Sequence, residues 1–210
     1  MTIPNWVFAL RDANVYRRGK GQTFSGQQLL YETYGLLVPV PDIANKQIHL
    51  RELQPIELIN GGFREDTELE KTVYEQVVRP YLRTRNSDSV FMQVGSESIC
   101  EMLQKQKDID ILTDNGSKNA TISIKAVRSK FRRIFWEYEK NSNTHEAGWG
   151  LYSEATWHFY LMAEGNGMWL CIMFKNTDLR EKLKMQGEAL QVEKQPGTKD
   201  EWEWDDDRPF

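Results

Sequence analysis

The segment from Ile109 to Ala126 constrains this chain more than any other. Ile109-Asp110-Ile111-Leu112 has strand composition, Asp114-Asn115-Gly116 is a strong turn signal, and Ala120 to Ala126 alternates with period 2. This predicts two antiparallel strands, because a short turn with residues tolerant of positive φ lets neighbouring strands pair directly. Alternation sends Ile122 and Ile124 to one face of the second strand, and Thr121, Ser123 and Lys125 to the other. Asp110, flanked by Ile109 and Ile111, projects away from those apolar side chains and toward the Ser123/Lys125 row.

Around this hairpin the pattern predicts a mixed α/β chain. Asn5 to Tyr16 and Ser25 to Tyr34 have helical spacing, Pro39 and Pro41 break the chain, and 42–62 reads as a loop with a short strand at Ile48 to Leu50. A long helix is expected from Asp66 or Thr67, where Thr67 and Glu70 fit a capping box, and Pro80 ends or kinks it. Val90 to Met92 reads as a strand, and Ser96 to Gln106 as a helix with Ile99, Met102 and Leu103 inward. After Lys125 the period changes, and Val127, Phe131, Ile134, Phe135 and Tyr138 share one face of a helix reaching about Lys140. A second hairpin, Thr156 to Met162 and Met168 to Phe174, turns at Gly165-Asn166-Gly167, and a helix from about Asp178 to Met185 closes the fold.

A chain of 210 residues holds one sizeable core. The expectation is a single domain over 1–195, with an N-terminal helical part to about 62, and an acidic, Trp-containing tail over 196–210. No run reaches the roughly 18 apolar residues of a membrane span, and Met1-Thr2-Ile3-Pro4 lacks a signal-peptide pattern, so a cytoplasmic location is expected. Cys100 and Cys171 fit no zinc spacing and read as reduced core residues. From Asp200 to Phe210 six acids stand against Arg208, which accounts for more than the whole net charge of −4. The remaining body carries basic clusters, among them Arg128, Lys130, Arg132 and Arg133, of the kind that phosphate binding requires.

Three further placements bear on chemistry. Lys125 stands at the end of an otherwise buried strand, and Glu139 falls at the margin of the apolar face of the following helix, with Glu137 on its outer side. Glu70 falls at about 100° from Leu69, in the middle of the apolar arc, where a charge needs a partner. Two carboxylates and a lysine suit phosphodiester hydrolysis: carboxylates hold a hard cation such as Mg²⁺, and a lysine favours deprotonation of an attacking water.

The order of these parts resembles the PD-(D/E)xK nucleases: an acid-bearing helix, Asp110 on a strand, a hairpin, and Lys125 on the next strand with a helix behind it. The acid usually found two positions before the lysine is Ser123 here. One branch of type II restriction endonucleases carries Ser-x-Lys and takes the missing carboxylate from the following helix, at about the distance of Glu139. The resemblance implies a restriction-endonuclease-like central mixed β-sheet flanked by helices. It implies Asp110 and Glu139 as ligands for Mg²⁺ or Mn²⁺, Lys125 as the catalytic lysine and Glu70 as the first-helix acid. It also implies a DNA endonuclease of restriction or mobile-element context, acting as a homodimer because one such site cuts one strand. The chemistry does not distinguish DNA from RNA.

Plainer readings stand beside these. Asp110 also reads as a strand-edge acid, Lys125 as a solvated strand end, Glu139 as an ordinary ion-pair partner of surface bases such as Arg132, and Glu70 as a helix cap. His49, His145 and His158 show no metal or triad spacing, and His158 reads as a packed strand residue. On this view the chain is a non-catalytic adaptor, and Glu201-Trp202-Glu203-Trp204 docks on a basic protein partner.

Overall fold

The computed structural model describes residues 15–18, 33–40, 45–57, 63–92, 98–127, 133–141, 144 and 146–193. In chain order the strands begin with β1 (Val15–Arg18), β2 (Thr33–Pro39) and β3 (Lys46–Arg51). Helix α1 (Phe63–Val73) runs through a π turn (Tyr74–Val78) into α2 (Arg79–Arg83). Next come β4 (Asp88–Phe91), α3 (Ser98–Glu101) with a π turn over Met102–Gln106, β5 (Ile111–Asp114) and β6 (Asn119–Val127). The rest is β7 (Arg133–Asn141), β8 (Glu146–Ala147), α4 (Trp149–Tyr152), β9 (Trp157–Gly165), β10 (Met168–Phe174) and α5 (Asn176–Glu193).

These elements form a mixed α+β fold with two sheets. The larger has six strands in the order β3-β10-β9-β6-β5-β4, antiparallel except where β6 and β9 run parallel. The smaller has the order β1-β2-β7-β8. Period-2 alternation gives the larger sheet two apolar faces. Ile111, Ile122, Ile124, Phe159, Leu161 and Cys171 pack under Leu69 and Val73 of α1 and Tyr74 and Val77 of the π turn that follows it. Tyr160, Met162, Leu170 and Ile172 pack on the other side against Leu36, Ile134, Trp136 and Tyr138 of the smaller sheet and Leu179 and Leu183 of α5. A helix therefore covers one face of the central sheet, while a second sheet with a helix covers the other. Each fully buried aliphatic or aromatic side chain contributes roughly 1.5–3 kcal/mol of transfer free energy, so the two clusters hold the three layers together.

The β5–β6 hairpin forms as its turn chemistry requires. Asp114 Oδ1 accepts the Gly116 N–H at 2.7 Å, and Asn115 Oδ1 accepts the N–H groups of Ser117 at 3.1 Å and Lys118 at 2.8 Å. Gly116 supplies the positive φ of 78°. The second hairpin also forms, with Gly165, Asn166 and Gly167 all at positive φ.

Several expectations fail for physical reasons. The chain from Arg133 to Asn141 is strand β7, not a helix. Ile134, Trp136 and Tyr138 alternate into the core, and three consecutive alternating aromatic and β-branched positions favour a pleated surface over a helical face. Glu139 consequently sits on a strand. Val15–Arg18 and Thr33–Pro39 are paired strands where helices were expected to reach Tyr16 and Tyr34; the remainder of both segments lies outside the described residues. Helix α1 starts at Phe63, so Thr67 is interior and the capping-box reading of Thr67 and Glu70 fails. Pro80 does not end the helix. The π turn before it widens the backbone by one residue, with the Arg79 N–H reaching the Tyr74 carbonyl, and makes room for the ring. Ile99 and Met102 are exposed, whereas Cys100 is buried. The tail over 196–210 lies outside the described residues.

Candidate functional site

The site is built where the α3 helix hands over to β5. Lys107 closes the helix, and Asp108 takes a left-handed φ of 55°. That reversal lets the Ile109 N–H reach the Leu103 carbonyl at 2.9 Å, satisfying an otherwise orphaned helix-end acceptor. Glycine or asparagine is the usual residue in this conformation, and an aspartate there costs up to about 1–2 kcal/mol of backbone strain. Two residues later Asp110 is already in the sheet ladder: its N–H donates to Ile122 O at 3.0 Å and its carbonyl accepts from Met92 N at 2.7 Å. Its side chain crosses to β6, where Oδ2 accepts the Ile124 N–H at 2.8 Å and lies 3.3 Å from the Ser123 hydroxyl. The carboxylate thereby stands in for a backbone carbonyl at the end of the β5–β6 ladder.

Asp108 meets the next residue of the same row. Lys125 Nζ lies 2.6 Å from Asp108 Oδ1, with the aspartate side chain 5% exposed and the lysine 20%. The other oxygen, Asp108 Oδ2, accepts no hydrogen bond among the described residues. It lies 3.4 Å from Nε2 of His158 on β9, the strand parallel to β6. His158 is fully buried between the rings of Trp149 and Phe174, at centroid distances of 5.2 and 5.3 Å, and its Nε2 is also 3.1 Å from the buried Ser153 hydroxyl.

These neighbours set the charges. Burial disfavours ionisation of Asp108, but Lys125 and His158 outweigh it and hold its carboxyl well below the usual range. Burial raises Asp110 above that range, reinforced by the charge on Asp108 and opposed by Lys125. Burial also works against the charge on Lys125, yet Asp108, Asp110 and Glu70 together lift it well above the ordinary lysine value. His158 is pushed down by burial, which keeps it neutral at pH 7. The two aspartates are thus driven in opposite directions by their surroundings.

Asp110 and Lys125 belong to one buried row with Asp108, and the charges of Asp110 and Glu70 act on Lys125. Glu70 of α1 is partly buried. Glu139 is buried on β7 opposite Ala147. A second β7 acid, Glu137, expected on the outer side of a helix, feels the charges of Lys125 and Asp108. Its Oε2 accepts the Trp149 N–H at 3.3 Å. Burial raises its carboxyl, with Lys125 and Lys140 pulling it down and Asp108 pushing it up. Arg133 is exposed at the start of β7, while Arg128, Lys130 and Arg132 lie outside the described residues.

Asp108, Glu137, Trp149 and His158 were not singled out from sequence as site residues. The alternation of Asp108 with Asp110 was a usable signal for the first, and the alternation of Ile134, Trp136 and Tyr138 for the strand that carries the second. Beside the cluster, Lys105, Lys140, Glu146 and Tyr152 line a cleft of about 650 Å³. Tyr152 connects the two: burial raises its phenol, and the charges of Asp108, Lys125 and Glu137 all act on it.

No family model, no curated protein and no solved structure matches the chain.

Proposed function

We propose that the protein is a Mg²⁺- or Mn²⁺-dependent phosphodiesterase of the PD-(D/E)xK nuclease type, acting on DNA. The observation that carries this reading is the buried row in which Asp110 meets Ser123 and Ile124 of β6, Asp108 pairs with Lys125 of the same strand, and the charge of Glu70 on α1 acts on that lysine. The acid-bearing helix, the Asp110 strand, the hairpin and the Lys125 strand follow one another as the resemblance requires, although β7 takes the place of the helix behind them.

The chemistry of the nearby acids, oxygen donors in a buried setting, is the kind a hard cation takes. Four carboxylates, those of Glu70, Asp108, Asp110 and Glu137, act on the single ammonium of Lys125, and Asp108 Oδ2 is buried without a hydrogen bond among the described residues. Mg²⁺ is commonly held by one or two carboxylates, with water and substrate phosphate completing the shell, and once bound it offsets charge developing on the phosphate. Lys125 supplies a fixed positive charge that orients an attacking water and favours its deprotonation. One such site cuts one strand, so double-strand cleavage calls for a homodimer.

The test is plasmid cleavage with Mg²⁺, with Mn²⁺ and with chelator, repeated on an RNA substrate. Asp110→Ala and Lys125→Ala should each abolish divalent-dependent cleavage, and full activity in either variant removes the assignment. A second reading, a non-catalytic interaction protein that docks a protein partner through its acidic tail, is favoured by Ser123 in the usual acidic position. It is also favoured by the absence, among the described residues, of any three His, Cys, Asp or Glu side chains grouped to hold a metal. It predicts that the wild-type protein binds no divalent ion.

A further inference from the structure

We propose that the outer edge of β3 is the docking site of the chain's own acidic segment 201–204, which adds to the larger sheet as a further strand. The proposal is independent of the nuclease reading.

β3 ends the six-stranded sheet, and no strand pairs beyond it among the described residues. The Glu52 N–H donates to the Gly167 carbonyl at 3.0 Å, which fixes the phase of the β3–β10 ladder. Bonded pairs alternate in an antiparallel ladder, so Lys46, Ile48 and Leu50 turn their backbone groups to β10, whereas Gln47, His49 and Arg51 turn theirs outward. The side chains alternate as well. Ile48 and Leu50 lean, partly buried, on the cluster beneath α1, and the exposed Gln47, His49 and Arg51 stand on the opposite face.

Such an edge is a template for another strand, and main-chain bonds with alternate side-chain contacts are the usual means of adding one. Cations stand at both ends of this edge, Lys46 and Arg51, while the neighbouring acids are already engaged: Glu164 pairs with His49, and Glu52 accepts the Trp169 indole N–H. Two copies of a cationic edge repel, whereas an acidic strand is attracted. The sequence contains a matching segment. In Glu201-Trp202-Glu203-Trp204 acids alternate with aromatics, so an extended backbone puts both indoles on one face and both carboxylates on the other. In the register that sets the two glutamates beside His49 and Arg51, the indoles extend the apolar strip of Ile48, Leu50 and Tyr81. Asp205, Asp206 and Asp207 add to the attraction.

The reach is sufficient. Asn45 Nδ2 lies 3.4 Å from Asp178 Oδ2, so the first turn of α5 stands beside the start of β3. Helix α5 carries the chain about 22 Å from Asp178 to Glu193. The eight residues from Glu193 to Glu201 span up to about 28 Å when extended, enough to return to β3. The plain alternative is a solvated edge that charge alone keeps from pairing. It accounts for Lys46 and Arg51, but not for the period-2 order of 201–204.

Residue-resolved amide exchange by NMR on the full chain tests this. The N–H groups of Gln47, His49 and Arg51 should exchange at least about tenfold more slowly in wild type than in Trp202→Ser/Trp204→Ser. The amides of β9 should exchange alike in both and report an intact sheet. Arg51→Glu should release the amides of 47 and 49 in the same way, and Arg51→Lys should not. Equal exchange of the three outward amides in wild type and the double variant overturns the proposal. Protection that holds on dilution supports a strand from the same chain, whereas protection that rises with protein concentration assigns the edge to a second copy and overturns it.

Discussion

Replacing Lys125 by methionine keeps the side-chain length and removes the one ammonium that neutralises Asp108. In the folded protein the two groups are 2.6 Å apart and the aspartate is 5% exposed, so the carboxylate left behind is buried and uncompensated. Breaking a buried pair in this way costs about 3–5 kcal/mol. An independent bound agrees: protonating a carboxyl of ordinary pKa, about 3.9, costs about 4 kcal/mol at pH 7, and a protein that can take up the proton need lose little more than that. The loss expected for Lys125→Met at pH 7 is therefore about 3–4 kcal/mol. In wild type the folded-state pKa of Asp108 is depressed, so its contribution is fully present above the ordinary carboxylate range and is lost only as pH falls below it. In the variant the folded-state pKa of the Asp108–His158 pair is raised, so the penalty is largest at high pH and is relieved as pH falls. The gap between the two stability curves should narrow by up to about 1.4 kcal/mol per pH unit between pH 7 and pH 5. Urea unfolding at several pH values in that window measures the gap, and Asp108→Asn combined with Lys125→Met should recover most of it. A gap independent of pH, or smaller than about 1 kcal/mol at pH 7, refutes the claim that the pair carries this much stability.

Two further changes probe the surroundings of the pair. Gly150→Ala places a methyl group 2.5 Å from the Glu137 carbonyl oxygen and from Trp136 Cε2, and should lower stability by about 1–3 kcal/mol in chemical denaturation; a neutral result would mean that α4 does not press on β7. Ser123→Asp adds a fully buried acid beside Asp110 and should destabilise the protein by several kcal/mol in chelator, with melting temperature recovering as Mg²⁺ is added; a melting temperature indifferent to Mg²⁺ would argue against a cation at this cluster.

The portion of the site that could be read in advance is the portion fixed by local rules. Gly116 and the Asx turns of Asp114 and Asn115 set the hairpin, the hairpin sets the register that places Ile111 opposite Ile122, and alternation then puts Asp110 and Ser123 on one side. Each step uses residues within about a dozen positions of one another. Asp108 escapes this logic because its direction depends on a left-handed residue closing a helix, and an aspartate does not announce that conformation as a glycine would. Glu70 was expected within the apolar arc of its helix and is partly buried, but the capping role offered for it fails because Thr67 lies inside the helix.

The strand β7 was misread because five of its neighbouring apolar residues satisfy a helical period as well as the true one. A helix would have turned Glu137 to solvent, whereas a strand pairing with β2 and β8 presses it beneath Gly148 and Gly150. What decides between the two is tertiary: the central sheet offers Tyr160, Met162, Leu170 and Ile172 as a flat apolar surface, and Ile134, Trp136 and Tyr138 cover it best as alternate residues of a second sheet. The same choice fixes the chemistry. With a strand there, Trp149 stands between Lys125 and Glu137, its ring 5.9 Å from the ammonium and its N–H 3.3 Å from the carboxylate, so the period of one element decides how an acid sits relative to the lysine.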